Sequence, residues 1–275
     1  MTPEWGAPLA VGRSAEIHAW PEGGDLVVKL FPEGYPPALV DAEEAASGEA
    51  ARLGLSTIAC HGRVEVAGRA GLLLDRVHGE SLTRQAERDP FRLRGCARAL
   101  ARAHVRVHES PTALFTEVRE ATAAALGTPP LAFLTGRQRA LAAERVAALP
   151  AGDRVLHLDF HSENVFGHGG GHAVIDWRTT LRGDPAADVA MTVLLLRDAE
   201  LWPGTPLLKR IAVQAVRRVV LSTYLAEYRR LTGMTDERVA AWRLPVVVLR
   251  MSTLDIASER EGFRRELAAL LGAEE

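Results

Sequence analysis

Within the run VLHLDFHSEN (155–164), His157, Asp159 and His161 alternate, and Asp159 stands five residues before Asn164. Two chemistries use such groups. On a regular strand the alternate side chains would point the same way and offer two imidazoles and a carboxylate to a metal ion, as in a hydrolytic centre. The D-x-x-x-x-N spacing instead sets a carboxylate that can take a hydroxyl's proton near an amide oxygen that can hold Mg²⁺, as phosphoryl transfer requires. The metal-cage reading needs a further ligand cluster, and the remaining histidines show no ligand spacing such as HExxH. The phosphotransfer reading needs a second magnesium ligand and a cation for phosphate charge.

Both parts have candidates. Asp176 lies next to last in the run HAVIDW, twelve residues beyond Asn164. RVLHL and HAVIDW flank the glycine-rich GHGGGH and read as two short strands, which would bring Asn164 and Asp176 close together. The cation is Lys29 in LVVKLF. Lysine occurs only at Lys29 and Lys209, the rest of the 33 basic residues being arginine, so a lysine inside an apolar strand asks for a reason. An ion pair with an acid of the following helix, Glu43 or Glu44, would hold its ammonium toward phosphate. Upstream, VGRSAEIHAW reads as a turn between strands, where Gly12 permits close backbone approach and Ser14 offers a hydroxyl and an N–H to phosphate oxygens.

These groups need a scaffold. PLAVG, LVVKLF, GRVEV and GLLLDRV read as strands, the last two forming a hairpin across Gly68 and Gly71. ALVDAEEAASGEAARLG has helical composition and ends at Gly54 as a C-cap. From about residue 78 the chain turns to Ala/Leu/Arg-rich periodic segments at 90–108, 113–126, 130–148, 185–199, 206–231 and 235–271. The expected architecture is α+β and bilobal: residues 1–77 as a small antiparallel-sheet lobe with one helix, a hinge near 74–80, and residues 78–275 as a larger, mainly helical lobe. A cleft between the lobes is the expected ligand site.

Taken together, VLHLDFHSENV, VIDW, GDPAADVA and LVVK resemble the aminoglycoside phosphotransferase and choline kinase-like family, which has a protein-kinase-like fold. LGLSTIACHG, LLLDRVHGESL and ALARAH extend the resemblance over nearly the whole chain. It implies Asp159 as catalytic base, Asn164 and Asp176 as magnesium ligands, and Lys29 as the phosphate-binding lysine paired with a helix glutamate, Glu43 in preference to Glu44. Backbone groups around Asp75, Arg76 and Val77 would meet adenine. His157 becomes a scaffold residue, and Asp188 a buried carboxylate that supports the loop. Three positions depart from the family pattern: Leu158 and Glu163 stand where glycine is usual, and LGLSTIA lacks the family's proline.

The resemblance implies an ATP- or GTP- and Mg²⁺-dependent kinase acting on a hydroxyl of a small molecule, a metabolite or an antibiotic. Only RTTLRG and its neighbours separate Asp176 from Asp184-Pro185, too short for a peptide-presenting activation segment. From Gly183 onward acidic and basic residues balance, which argues against a polycationic acceptor; Asp198, Glu200, Glu227, Asp255 and Glu259 are the acids available to a local pocket. A non-catalytic nucleotide-binding module and a metallo-hydrolase are the alternatives. A net charge of −2 gives no footprint for nucleic acid or an anionic membrane. Cys60 and Cys96 form no disulfide framework, no secretory signal or membrane span is evident, and a cytoplasmic location is expected.

Overall fold

The computed structural model describes residues 6–12, 14–21, 24–168, 171–198, 206–254 and 256–272. Contacts divide the chain into two units, Met1–Arg84 with Glu163–Thr179, and Gln85–Ser162 with Thr180–Glu275.

In the first unit β1 (Ala10–Val11), β2 (Glu16–Ala19), β3 (Leu26–Leu30), β4 (Cys60–Val66) and β5 (Arg69–Asp75) form an antiparallel sheet in the order β1-β2-β3-β5-β4. A helix, α1 (Pro37–Arg52), lies between β3 and β4 in sequence. Strand β3 is central, so its backbone is bonded on both sides and Val28, Lys29 and Leu30 are all buried. On α1 the buried positions Val40, Glu43, Ala46 and Ala50 recur at helical spacing, and Val40 joins Ala15, Phe31 and Leu72 in a core cluster. Glu43 is the charged member of that stripe. The helix stops as expected: Gly54 has φ 69°, its N–H donates to Ala51 (3.0 Å) and the Leu55 N–H to Ala50 (2.8 Å), a glycine-terminated cap.

The β4–β5 hairpin turns at Ala67 and Gly68, with φ of 50° and 78°, between the paired Val66 and Arg69. Gly71, expected in the turn, instead lies inside β5, where an added Cβ would come 2.8 Å from Val28 Cγ2. Its lack of a side chain serves packing against β3.

Residues of α2 (Leu82–Arg88) fall on both sides of the division. In the second unit α3 (Leu93–His108), α4 (Val118–Ala125) and α5 (Gly136–Ala147) precede β6 (Arg154–Leu156). The chain then passes through β7 (Val165–His168) and β8 (Gly171–Val174) of the first unit and returns as β9 (Leu181–Gly183). Strand β6 pairs with β9, and β7 with β8, both antiparallel. RVLHL and HAVIDW are therefore not partners. The nearer segment Val165–His168 takes the place beside β8 through a short connection that includes Gly169 and Gly170, which lie outside the described residues.

The helices α6 (Pro185–Asp198), α7 (Leu207–Thr232), α8 (Asp236–Ala241), α9 (Arg243–Leu254) and α10 (Ala257–Leu271) complete the second unit. The segment expected to be helical over 235–271 is three helices, with Trp242 as the C-cap of α8 and Pro245 in the first turn of α9, where proline is tolerated. Helix α6 is buried nearly all round, from Ala186 to Leu196, so it runs through the core. Helices α3 and α7 pack side by side. Among the described residues no helix is long and apolar enough to cross a membrane.

Candidate active site

Lys29 reaches its partners because β3 points it at the buried stripe of α1. Its Nζ donates to Glu43 Oε1 in a very short contact and to Asp176 Oδ1 at 2.8 Å. Lys29 is 6 % exposed and Glu43 2 %. Glu44 lies off the stripe and reaches Arg63 at 3.4 Å, so Glu43 is the glutamate of the pair. Burial alone would push the Lys29 ammonium down; the carboxylates of Asp176 and Glu43 outweigh it and hold its pKa above the ordinary lysine value. Burial also raises Glu43, against the opposing pull of Lys29.

Asp176 and Asn164 come together through the β7–β8 hairpin. Val165 pairs with Val174, and the Ile175 N–H donates to the Asn164 carbonyl at 3.0 Å, so Asn164 and Asp176 flank its open end. Asp176 itself has φ 65°, a left-handed backbone that turns the chain out of β8 into the 3₁₀ turn Trp177–Thr179. That turn packs on α1, Trp177 is buried with its Nε1 donating to the Val174 carbonyl at 3.1 Å, and Arg178 brings positive charge to bear on Glu43. The carboxylate and amide oxygens at the hairpin end are the hard donors Mg²⁺ prefers, and Lys29 beside them offsets part of the charge.

The Asp159 loop belongs to the second unit. It is not a regular strand: Leu158 has φ 58°, and His157 folds back so that its Nδ1 accepts the Asp159 N–H at 3.2 Å. That rotation defeats the metal cage. His157 is buried with its ring edge-on to Phe160, while His161 remains beside Asp159 at 3.7 Å. Burial would raise the Asp159 carboxyl, but the hydrogen bond and charge of His161, with His157 and Arg250, hold it at about 2. Asp188 supports the loop from the N-terminal turn of α6, accepting the backbone N–H of His157 (2.5 Å) and Leu158 (2.9 Å). One helical turn on, Thr192 Oγ1 donates to the Phe160 carbonyl at 3.0 Å.

The remaining expected groups are placed as follows. Ser14 is half-buried in the β1–β2 turn, closed by the Gly12 N–H on the Ala15 carbonyl at 2.9 Å; Arg13 lies outside the described residues. The Asp75 carboxylate takes the Ala59 N–H (2.9 Å) and His61 (2.7 Å). The Asp75 and Arg76 amides are bonded to Ala59 (3.0 Å) and Asp25 (2.6 Å), whereas Val77 has no hydrogen bond among the described residues. Of the possible pocket acids, Asp198 meets Arg197 and Arg243, Glu227 meets Arg102 and Arg230, and Glu259 meets Arg250. Glu200 and Asp255 lie outside the described residues.

Sequence reasoning missed what surrounds Asp188. Among the described residues the His/Cys/Asp/Glu group that converges closely is His104, His108 and Asp188, capped by Tyr224 and Tyr228. Its trace in the sequence is a pair of histidines and a pair of tyrosines, each spaced by four residues on a helix.

An antiparallel five-stranded sheet with one helix, followed by a mainly helical part, and a buried Lys–Glu pair bonded to an aspartate near an Asn-bearing loop define a kinase-like phosphotransferase. The chain belongs to the phosphotransferase enzyme family APH, whose model matches residues 5–233. Over 99% of this chain and 95% of the other it is similar to a thermostable mutant of aminoglycoside phosphotransferase APH(4)-Ia, solved with ADP and hygromycin B, with TM-score 0.64 and 15% identity. Aminoglycoside phosphotransferase APH(3'')-Id from Streptomyces rimosus aligns with TM-score 0.54 and 21% identity over 90% of this chain and 93% of that one. A choline/ethanolamine kinase family protein from Mesorhizobium loti aligns with TM-score 0.53 and 16% identity over 99% and 89%. These likenesses establish the fold. No curated protein matches the chain significantly.

Proposed function

We propose that the protein transfers the γ-phosphoryl group of ATP to a hydroxyl of a small molecule. The observation that carries this reading is the buried Lys29–Glu43 pair bonded to Asp176, with Asn164 flanking the same open end of the hairpin. In this reading Lys29 steadies the α/β-phosphates and Glu43 aims it. Ser14 contributes its hydroxyl and N–H to phosphate oxygens, and backbone at Asp75 and Val77 meets the base; the two amides already bonded at Asp75 and Arg76 leave Val77 as the stronger candidate. Asn164 and Asp176 would hold Mg²⁺, which supplies neutralisation of phosphate charge. The domain division that goes with it is a nucleotide-binding part, residues 1–77, and a catalytic and acceptor part, 78–275.

Asp159 orients the acceptor hydroxyl and accepts its proton as the new O–P bond forms and the bond to the β-bridging oxygen breaks, releasing ADP. A carboxylate held at about 2 is a weak base but always ionised, which suits a loose transition state where the proton leaves late. His157 and Asp188 fix the loop that presents it. The relatives' acceptors named above include an aminoglycoside, but Asp198, Glu227 and Glu259 are already engaged by arginines, so these acids favour an acceptor with little positive charge.

The test is an acceptor panel of amino alcohols, sugars and antibiotics screened for ATP-dependent phosphorylation, followed by Asp159→Asn. Transfer should fall by at least about a hundredfold with nucleotide affinity kept. Transfer at near the native rate in that variant would remove Asp159 from its role.

A further inference from the structure

The Asp159 loop hangs from Asp188, and Asp188 is itself gripped by side chains that take no part in the reaction proposed above. His104 and His108, one turn apart on α3, place their Nε2 atoms 3.1 Å and 3.2 Å from the same Asp188 Oδ2. The His108 contact is a hydrogen bond; the His104 contact lies off the direction of a straight one. Tyr224 and Tyr228, one turn apart on α7, close the arrangement, each hydroxyl 2.7 Å from the Nδ1 of its histidine. All five side chains are buried.

The protons can be assigned. Burial, helped by His108, pushes His104 down to about 3, so its ring is neutral and carries one proton. Burial would raise Asp188, but His104, His108 and the loop amides hold it well below the usual carboxylate range, so it is ionised and can only accept. The His104 nitrogen facing it therefore bears the proton, Nδ1 is an acceptor, and the Tyr224 O–H donates to it. The Tyr228 hydroxyl stands against the His108 Nδ1 at the same distance, 2.7 Å. With each Nδ1 engaged by a hydroxyl and each Nε2 turned to the carboxylate as a donor, neither ring offers a lone pair to a metal ion. Without the hydroxyls each ring is free to turn a lone pair toward the carboxylate, which repels it and weakens its hold on the His157 and Leu158 amides.

We propose that Tyr224 and Tyr228, acting through His104 and His108 on Asp188, are positioning residues for the Asp159 loop. This rests on the reading of Asp159 as the acceptor of the hydroxyl proton, so the test reads the loop separately from turnover. In the full chain, amide exchange at His157 and Leu158 should quicken about tenfold in Tyr224→Phe and Tyr228→Phe, with Val155 and Leu156 in β6 unchanged. His108→Gln, which keeps an N–H donor near the Nε2 position, should restore protection that His108→Leu loses. Nitrogen NMR should find both rings protonated at Nε2. With a working acceptor, kcat should fall about tenfold in the Phe variants while KM for ATP holds. Unchanged exchange at His157 and Leu158, equal quickening throughout β6, or stoichiometric zinc bound at His104 and His108 would each overturn the proposal. The expected exchange pattern in a chain with no turnover on any acceptor would support the positioning and remove only the reaction assigned to Asp159.

Discussion

Replacing Lys29 by Met removes the cation that two carboxylates share. Their situations differ: the Asp176 side chain is 28% exposed and reaches water, whereas Glu43, 2 % exposed, is left with a proton and the weaker pull of Arg178 to replace its partner. Removing one member of a buried ion pair costs about 3–5 kcal/mol, and Glu43 recovers part of this by protonation, since burial already raises its carboxyl. A net loss of about 3 kcal/mol at pH 7 follows, or a Tm lower by roughly 6–12 °C at about 2–4 °C per kcal/mol for a chain of this size. The sign with pH is defined. Lys29, raised in the folded state, contributes stability that is present below the unfolded lysine value and lost as pH rises through the folded one. In the variant Glu43 is raised further, so the deficit shrinks as pH falls through its folded value. Lys29→Met with Glu43→Leu leaves no charge without a partner on α1 and should recover at least half of the loss. Urea and thermal unfolding at pH 5 and pH 7 measure all of this. A Met variant weakened by less than about 1 kcal/mol, or a double variant as weak as the sum of the singles, would refute the reasoning.

Gly71→Ala should destabilise by about 1–3 kcal/mol in urea, because the new methyl meets Val28 Cγ2 at 2.8 Å and the Lys29 carbonyl at 3.2 Å. Ala67→Gly should stabilise by about 0.5–1 kcal/mol, since φ 50° is a left-handed position that glycine adopts freely; an unchanged urea midpoint would count against that strain. His161→Ala should move the Asp159 carboxyl up from about 2, seen by carbon NMR titration. Because a depressed carboxyl contributes stability above its unfolded value of about 3.9 and loses it as pH falls through the folded value, the variant should be less stable than the native protein above about pH 4, with the deficit shrinking as pH falls toward about 2.

The reactive groups were legible because chemistry restricts their types and spacing. Lys29 stood out as a lysine in an apolar strand of an arginine-rich chain, and the D-x-x-x-x-N spacing pointed to the loop. The choice between Glu43 and Glu44 needed the phase of α1, which two adjacent acids do not reveal and the buried stripe does. The pairing of β7 with β8 was hidden because RVLHL and VFGH are both short apolar runs that precede the same glycine turn, and local pattern does not rank two possible partners. His104 and His108 were hidden for another reason. They continue the apolar stripe of α3, so a helical periodicity that correctly predicts burial also disguises polar groups that meet Tyr224 and Tyr228 120 residues away.

Leu158 joins the Asp159 loop to its buried anchor. Glycine is usual at this position in the family it resembles, and the φ of 58° found here is the conformation glycine adopts without strain; holding a leucine there costs about 1–2 kcal/mol. Two features offset that strain. The side chain is buried, and the Leu158 N–H, turned inward by this backbone, meets the ionised Asp188. The carboxylate, in turn, stays ionised in the core because of the donors facing it from α3 and the loop. Leucine is thus tolerated where the anchor is strong, and the strain makes the anchor matter more: weakening Asp188 would release a backbone with reason to move, one residue before Asp159. Asp176, also left-handed, is held by a salt bridge to Lys29 in the same way. At both places a strained backbone stands in or beside an acid of the proposed reaction, and each is fixed by a buried charge brought in from another element.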